Sequence, residues 1–340
     1  MTPTTVEATR PDAAAIAEMA VAPRPWRAPV QAKLPANMLS FDVEEYFQVQ
    51  AASSCVKPSQ WDSIPWRLEA AVDGLLDLLA RHGTLATFFV LGWVARRQGS
   101  IIRRIAAGGH EIASHGMTHT MIQHLNASQF AREIRDSRKA LEDLSGCACL
   151  GYRAPTFSLT HKTAWAIDAL IEEGIEYDCS VFPIRHDRYG VPEAPPEPHM
   201  AVGPGGGRML EIPPLTARLL GMNWPVGGGG YFRLLPLAAT RAALGAAQQC
   251  GRCTMLYLHP WEFDADQPVL AMSRLSRWRH RVGLRRTPGR LAALLEQFRF
   301  APVGACAAAL RASDLGEHRY GLTAAAAAGG EKSNFSGRAK

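Results

Sequence analysis

Apolar positions along the chain follow two patterns, and each predicts a different element. The first repeats every three or four residues, at Leu68, Val72, Leu75, Leu76 and Leu79. This spacing, which stops at Gly83, predicts an amphipathic helix. The second pattern is a continuous apolar run at 84–91, rich in β-formers, and it predicts a strand buried on both faces.

The alternation of helix and strand patterns continues to residue 258. Further helices are predicted over 94–107, 128–144, 160–173 and 237–249, and further strands over 149–152, 175–179, 209–212 and 254–258. Two Gly- and Pro-rich loops, 182–207 and 223–230, interrupt the pattern, and long loops inside a domain are usually functional. Strands that alternate with helices predict a mostly parallel sheet, either open or closed into a barrel.

Length and composition favour one principal domain with tails. The chain has 340 residues, of which 47% are hydrophobic and 20% charged. We expect a disordered leader, a main domain, a basic C-terminal extension and a disordered tail, over 1–36, 37–272, 273–316 and 317–340. The leader lacks a signal-peptide pattern, and no apolar run approaches the roughly 18 residues of a membrane span, so a cytoplasmic location is expected.

Cysteine usage points the same way. The seven cysteines are odd in number and scattered, which fits a reducing compartment better than a disulfide framework. Two pairs, Cys147 with Cys149 and Cys250 with Cys253, offer a structural zinc or a redox motif as alternatives. Their spacing and context fit neither role well, and small buried hydrophobic residues are the expected interpretation.

The formal charge of +6 is concentrated in one late segment. Its arginines are Arg274, Arg277, Arg279, Arg281, Arg285, Arg286 and Arg290. A polyanion such as an acidic polysaccharide, an anionic membrane surface or nucleic acid would be attracted to it, although a solvated helix face is the simpler interpretation. No nucleic-acid-binding motif accompanies the segment, so nucleic acid is not an expected partner.

Three carboxylates follow a short apolar segment near residue 40. Successive side chains of a strand point to opposite faces, so Asp42 and Glu44 share one face while Val43 and Glu45 share the other. Because like charges repel, two carboxylates this close raise the pKa of one of them, unless a cation lies between them or one of them accepts a proton. A solvated strand end with surface acids is the alternative.

A pair of histidines can complete a metal site. His115 and His119 are four residues apart, and on a helical turn this spacing directs both imidazoles to one point. Such pairs also arise by chance in a chain with eleven histidines. With Glu44 or Asp42 they supply two histidines and one carboxylate, the donor set of a catalytic zinc with open positions. A second carboxylate would be the general base for a bound water.

Two further residues can serve the same chemistry. Arg153 could keep the base ionised through charge-assisted hydrogen bonds, and His259 could protonate a leaving group. Taken singly, each is more simply explained as structural. However, Asp42, His115, Arg153 and His259 each lie at or just beyond the end of a different strand: the one that contains the acidic segment, the segment 110–114, and the predicted strands 149–152 and 254–258. This distribution favours a barrel over an open sheet.

Four segments resemble, in order and spacing, the motifs of the NodB-type polysaccharide deacetylases of carbohydrate esterase family four. They are FDVEEYF, HEIASHGMTH, GYRAPTFS and YLHPWEFD, within about residues 39–263. Two companion stretches, VGGGGYFRLLP and HPWEFDADQP, further resemble the exopolysaccharide-locus subgroup that accompanies bacterial exosortase (PEP-CTERM) systems and carries its own C-terminal extension.

The resemblance implies an α/β fold, a distorted (β/α)7 barrel, here with a C-terminal helical extension. It implies a divalent metal, with zinc favoured and cobalt, manganese or nickel as alternatives. The implied reaction removes an N-acetyl group from an amino-sugar polysaccharide or a lipid-linked oligosaccharide. The resemblance is also compatible with peripheral contact between this protein and membrane-bound exopolysaccharide machinery.

The resemblance also assigns roles by position. Asp42 would be the general base, Arg153 would orient it, His259 would be the general acid, and His115 and His119 would be metal ligands. The family usually has two adjacent aspartates, of which the second is a ligand.

One position departs from that pattern. Val43 stands in the second place, and strand alternation makes Glu44 the natural third ligand. The backbone N–H near Thr156 would help to hold the oxyanion. Trp224 and Trp261 would contact the sugar, and Glu211 with Trp224 is the candidate for the family's acidic and tryptophan motif.

Two other functions fit the same residues. A metal amidohydrolase for a small N-acyl compound would use the same barrel and metal. A non-catalytic glycan-binding protein would keep the barrel and lose turnover, although the presence of every proposed polar group argues against it.

Overall fold

The computed structural model describes residues 23–26, 37–186 and 188–321. The strands in these ranges are β1 Asn37–Val43, β2 Thr87–Val90, β3 Glu111–Ser114, β4 Gly151–Tyr152, β5 Tyr177–Asp178, β6 His199–Val202, β7 Arg208–Glu211, β8 Thr216–Leu219, β9 Met222–Pro225, β10 Thr254–Leu258, β11 Phe300–Ala301 and β12 Glu317–Arg319. The α-helices are α1 Leu68–Arg81, α2 Gly92–Arg97, α3 Gly99–Ala107, α4 Ala127–Ser145, α5 Trp165–Glu172, α6 Gly229–Leu234, α7 Leu237–Gln249, α8 Arg274–Arg281, α9 Thr287–Leu295 and α10 Val303–Arg311.

The main sheet curves into a distorted barrel of parallel strands. Its hydrogen-bonded order is β10-β1-β2-β3-β4-β5-β7, and every neighbouring pair in this series is parallel. The two edges approach each other beyond β7, where the Leu215 N–H donates to the Met255 carbonyl oxygen over 2.8 Å. The predicted α/β fold with a mostly parallel sheet is confirmed.

Strand alternation divides the core into two parts. Outward-facing side chains such as Phe41 and Phe88 pack under the surrounding helices, and their rings stack 5.1 Å apart. Inward-facing side chains such as Met38 and Phe89 fill the barrel. Asp42 belongs to the inward face of β1, and it is therefore buried at the end of an apolar stack.

Most predicted helices form near their expected bounds. The Asn126 side chain caps α4 by accepting a hydrogen bond from the Gln129 N–H over 2.9 Å, and Gly146 ends the helix with a φ of 70°. The single helix predicted over 94–107 is instead two helices, because Gln98 leaves the helical conformation with φ −129° and ψ 47°. No helix within the described ranges is both long and apolar enough to cross a membrane.

The two predicted loops contain structure that periodicity did not reveal. Strand β6, inside 182–207, pairs antiparallel with β7. Strands β8 and β9 form a separate antiparallel hairpin that overlaps the start of the 223–230 loop. These strands have four residues each, too few for a pattern of period two to be distinguished from chance.

The C-terminal region differs from the predicted external extension. Strand β11 pairs with Asn37 and Met38 of β1, and β12 pairs with β6, so the region contributes to the main sheet as well as three helices. Residues 317–319 are a strand and not the start of a disordered tail. In the leader, Arg24 forms an isolated bridge with Cys147, and residues 1–22 and 27–36, like 322–340, lie outside the described residues.

The cysteines form no disulfide. All seven are free. Among the four cysteines of the two pairs, the predicted burial as a small apolar residue is confirmed for Cys149. Cys147 and Cys253 are only partly buried and Cys250 is exposed, so these three do not fit that prediction.

Candidate active site and metal centre

A cavity of about 580 Å³ opens at the carboxyl ends of the barrel strands. It brings together Asp42 at the end of β1 and Glu44 just after it, His115 and His119 after β3, and His259 after β10. Residues that lie far apart in the sequence meet here because the carboxyl ends of parallel strands share one rim. A cavity of this volume is in the range that holds a small ligand or part of a larger one.

The carboxylates after β1 separate as strand alternation predicts. Asp42 and Glu44 both line the cavity and are buried. The Glu45 carboxylate points away and accepts hydrogen bonds from the backbone N–H groups of Arg67 and Leu68 over 3.1 and 3.2 Å, at the start of α1. One acid of the three is therefore structural.

Arg153 contacts Asp42 from inside the barrel, on the side away from the cavity opening. The guanidinium is fully buried, forms an ion pair with Asp42 Oδ1 and donates to Ser40 Oγ over 2.9 Å. It also lies 4.1 Å from the centroid of the Phe89 ring. The second oxygen, Asp42 Oδ2, lies 3.8 Å from His259 Nε2 at the cavity wall, where it can accept a proton from a ligand.

Glu44, His115 and His119 form a cluster of metal-binding geometry. One donor atom of each lies within 4.8 Å of the other two. The His115 Nδ1–H donates to the Arg153 carbonyl oxygen over 2.8 Å, so its Nε2 carries the lone pair that can bind a cation. Two histidines and one carboxylate leave coordination positions for water and substrate.

The residues present fit a divalent cation. Glu44 Oε2 is buried and accepts no well-oriented hydrogen bond from a described residue, although His119 Nε2 lies only 2.8 Å away. Burial raises the pKa of Glu44, but His119 and the neighbouring histidines outweigh it and lower the pKa to about 2. Burial lowers the pKa of His115 to about 4. An ionised carboxylate beside a neutral imidazole is the state that a metal requires.

The two histidines lie on an irregular loop, not on the helical turn assumed from their spacing. Gly116 and His119 have φ values of 79° and 54°, outside the helical region. Glu133 of α4 anchors the loop by accepting hydrogen bonds from the N–H groups of Met117 and Thr118 over 2.9 and 3.1 Å. The imidazole centroids lie 5.3 Å apart, close enough for one ion to bind both rings.

Thr156 also lines the cavity, just after Arg153 and β4. Its φ is 59°, a left-handed conformation that is costly for a β-branched residue. Its N–H donates to no described residue, so it is available to an oxygen of a ligand. This is the backbone group that the sequence resemblance assigns to the oxyanion.

His259 has a buried partner that sequence reasoning did not assign. Its Nδ1–H donates to Glu262 Oε1 over 2.7 Å, and the second oxygen of Glu262 lies 3.4 Å from Arg233 Nε. Burial lowers the pKa of His259, but the contact with Glu262 outweighs it and raises the pKa to about 9. The spacing of His259 and Glu262 in HPWE was the available signal.

Replacing Glu262 by Gln is expected to lower kcat about tenfold with little change in KM. The change removes the charge that holds the His259 ring and its proton, and it leaves the cavity lining in place. Steady-state kinetics with a thermal unfolding control measure both quantities. Glu193→Gln is the matched control, because Glu193 contacts His161 over 2.5 Å at the surface. An unchanged kcat in Glu262→Gln would contradict the positioning role.

The predicted substrate-contacting tryptophans separate in the structure. Trp261 lines the cavity, and its Nε1–H donates to Glu44 Oε1 over 3.3 Å. Trp224 lies on β9 in a different cavity, beside Arg218. Glu211 is buried next to Asp178 and does not line the metal cavity. The structure thus does not bring the proposed Glu211 and Trp224 pair to the site.

Two family models match successive parts of the chain. Residues 59–171 match the polysaccharide deacetylase model, and residues 179–308 match a domain of unknown function, DUF3473. The two matches meet near β5, so both contribute strands to the barrel.

Curated relatives match a shorter segment. A chitooligosaccharide deacetylase from Rhizobium leguminosarum bv. trifolii is 40% identical over 99 residues, 28% of this chain and 42% of the relative. A peptidoglycan-N-acetylglucosamine deacetylase from Bacillus cereus is 33% identical over 95 residues, 28% of this chain and 34% of the relative. The matches therefore span less than half the length of these proteins.

Solved structures share the fold over most of the chain. A Mycobacterium smegmatis protein classed with the polysaccharide deacetylases has a TM-score of 0.56 at 22% identity, covering 88% of this chain and 98% of its own. PuuE allantoinase has a TM-score of 0.55 at 16% identity, covering 84% and 93%. At these identities the likeness concerns the fold alone.

The first of the two segments matched by family models is thus similar to the polysaccharide deacetylases, and it contains the His115 and His119 part of the His/His/Glu cluster. The segment that follows it matches the DUF3473 model, so the chain combines the two.

Proposed function

We propose that the protein hydrolyses the N-acetyl group of an N-acetylhexosamine unit in a glycan. The observation that carries the proposal is the single cavity that holds the Glu44, His115 and His119 cluster together with Asp42 and His259. A metal site, a general base and a general acid in one cavity are together suited to amide hydrolysis by an activated water molecule.

The side chains divide the reaction between them. A divalent cation in the cluster would polarise the acetyl carbonyl and lower the pKa of a water molecule. Asp42 Oδ2 accepts the proton of the attacking water, while Arg153 holds the other oxygen. The Thr156 N–H donates to the acetyl oxygen as it gains negative charge. His259 then gives a proton to the sugar nitrogen as the C–N bond breaks, leaving acetate and an amine.

The finer parts of the proposal have separate support. The donor set of two histidines and one carboxylate favours zinc, with cobalt, manganese or nickel as alternatives. The curated relatives act on chitooligosaccharide and on peptidoglycan N-acetylglucosamine, which supports an amino-sugar glycan. An exopolysaccharide or lipid-linked substrate, a cytoplasmic location and contact with membrane-bound exopolysaccharide machinery stay predictions from the sequence resemblance.

A comparison of a glycan substrate with a small acetamide distinguishes the proposed function from that of a small-molecule amidohydrolase. We expect kcat/KM for acetate release from chitotetraose to exceed that from N-methylacetamide by about 100-fold or more, since remote sugar contacts add transition-state binding. Equal values would favour the amidohydrolase. Saturable binding of chitotetraose without acetate release, at full metal loading, would favour a glycan-binding protein.

A further inference from the structure

We propose that the substrate glycan carries an anionic group, a carboxylate or a phosphate, close to the acetylated sugar, and that Arg279 binds it beside Trp278. The inference rests on the proposed function and extends it to the charge of the substrate. It assigns a role to the arginine-rich segment, which the deacetylation chemistry does not use.

Helix α8 forms part of the wall of the metal cavity. Ser276, Trp278, Arg279 and His280 line the same cavity as the metal cluster. The helix lies in the region that the sequence predicted as an external extension. Its side chains are therefore placed to contact whatever ligand reaches the cluster.

Buried contacts fix α8 relative to the catalytic residues. His280 stacks on Trp261 with centroids 4.6 Å apart, and its Nε2–H donates to the Tyr46 carbonyl oxygen over 3.0 Å. Arg233 donates to the carbonyl oxygens of His280 and Val282 over 2.9 and 2.7 Å. Because Trp261 in turn stacks beside His259, Arg279 occupies a defined position on the cavity wall.

The charge of Arg279 is not compensated within the described part of the chain. Helix α8 contains no acid, and Arg279 is exposed and forms no ion pair with a described residue. The three acids that line the cavity each face another group: Asp42 faces Arg153, Glu44 faces His119, and Glu262 faces His259. A guanidinium that lines a cavity without a carboxylate partner is suited to bind a carboxylate or phosphate of the ligand.

Trp278 supplies a surface for the sugar next to that charge. Its side chain is 51% exposed although it lines the cavity. An exposed indole offers a flat apolar face and a polar edge, which suits the face of a sugar ring. A solvated helix surface accounts for Arg277, which does not line the cavity, but it does not explain an exposed tryptophan and an arginine that both do.

Binding experiments with matched probes test the inference. Calorimetry in the Asp42→Asn background would compare neutral chitotetraose, hyaluronan and heparosan tetrasaccharides as carboxylate probes, and UDP-N-acetylglucosamine as the phosphate probe. We expect at least one anionic probe to bind about fivefold more tightly than chitotetraose, in line with a partly exposed charged contact. The class of probe that is preferred identifies the anion.

Variants of α8 assign the preference to one residue. Arg279→Gln is expected to remove the preference by weakening the binding of the anionic probes to about that of chitotetraose. Arg277→Gln, the matched control on the same helix, is expected to keep the preference. Trp278→Ala is expected to weaken the binding of neutral and anionic probes alike. Circular dichroism of each variant checks that α8 and the fold are intact.

Three results would overturn the inference. The first is no preference for any anionic probe, and the second is a preference that survives in Arg279→Gln. The third is an equal loss of the preference in Arg277→Gln and Arg279→Gln together with binding of the protein to phosphatidylglycerol vesicles in a sedimentation assay, which would assign the arginines to a membrane surface. The two proposals fail separately. A preference for an anionic probe without acetate release from any glycan would refute the deacetylase proposal and leave the anion site intact. Acetate release from chitotetraose without such a preference would support the deacetylase proposal and refute the anion site.

Discussion

The Asp42→Asn protein is expected to bind a divalent cation as the wild type does and to release acetate about 100- to 10,000-fold more slowly. Asparagine keeps the shape of the side chain and a carbonyl oxygen for Arg153. It cannot accept the proton of the attacking water, which Asp42 Oδ2 is positioned to take. Metal content by mass spectrometry and acetate release under saturating chitotetraose measure the two effects separately.

The control for Asp42→Asn must disturb Arg153 without touching the reacting groups. Ser40→Ala does so, because Ser40 Oγ accepts a hydrogen bond from Arg153 Nη2 and lies two residues earlier on the same face of β1. We expect a modest loss of stability and nearly normal turnover. Acetate release at the wild-type rate in metal-loaded Asp42→Asn protein would refute the assignment of the base.

The Glu44→Gln protein is expected to bind metal about 100-fold more weakly or worse, since loss of a ligand costs at least as much as loss of a partner behind a ligand. The neutral amide cannot replace the buried anion that faces His115 and His119. Acetate release should fall in proportion to bound metal and recover in part at high metal concentration. Competition with a fluorescent chelator measures the affinity.

Glu45→Gln is the matched control, because the two acids are adjacent and equally buried but point to opposite faces. We expect Glu45→Gln to lower the free energy of unfolding, because it weakens the hydrogen bonds at the start of α1, and to leave metal affinity unchanged. Equal metal affinity in Glu44→Gln and the wild type would show that the cluster does not bind the metal.

Strand alternation made the acidic part of the site predictable. Period two alone places Asp42 and Glu44 on one face, and the buried runs at 84–91 and 254–258 locate two of the strands. The residues after several strands meet in one cavity because parallel strands impose it. The repeated pattern of helix and strand predicted only a mostly parallel sheet, and the distribution of the candidate residues over several strand ends favoured the barrel.

Other features depended on tertiary contacts that no local pattern encodes. The sequence analysis assigned no role to Glu262, and the fold places it against both His259 and Arg233. Strands β11 and β12 are two and three residues long, so they have no period to detect. Trp224 was proposed from its loop and from the tryptophan motif of the resembled family, but the hairpin β8–β9 places it in a different cavity.

The arginine-rich segment illustrates the same limit. Its charge was evident, but a run of arginines on a short helix is the same pattern whether the helix faces solvent or a cavity. The contacts of His280 with Trp261 and Tyr46 fix the position of α8. Tyr46 lies more than 200 residues before His280, and Trp261 lies across a loop from it, so neither contact is visible in a local pattern.

The most direct test of the central claim is acetate release from chitotetraose, measured against the number of divalent ions bound per chain. The protein would be assayed as isolated, after chelation, and after stepwise addition of zinc or cobalt. We predict that release vanishes on chelation and returns in proportion to metal, reaching its maximum when the Glu44, His115 and His119 site is filled. Release that persists at full strength in metal-free protein, or none at full loading with any acetylated glycan, would contradict the account.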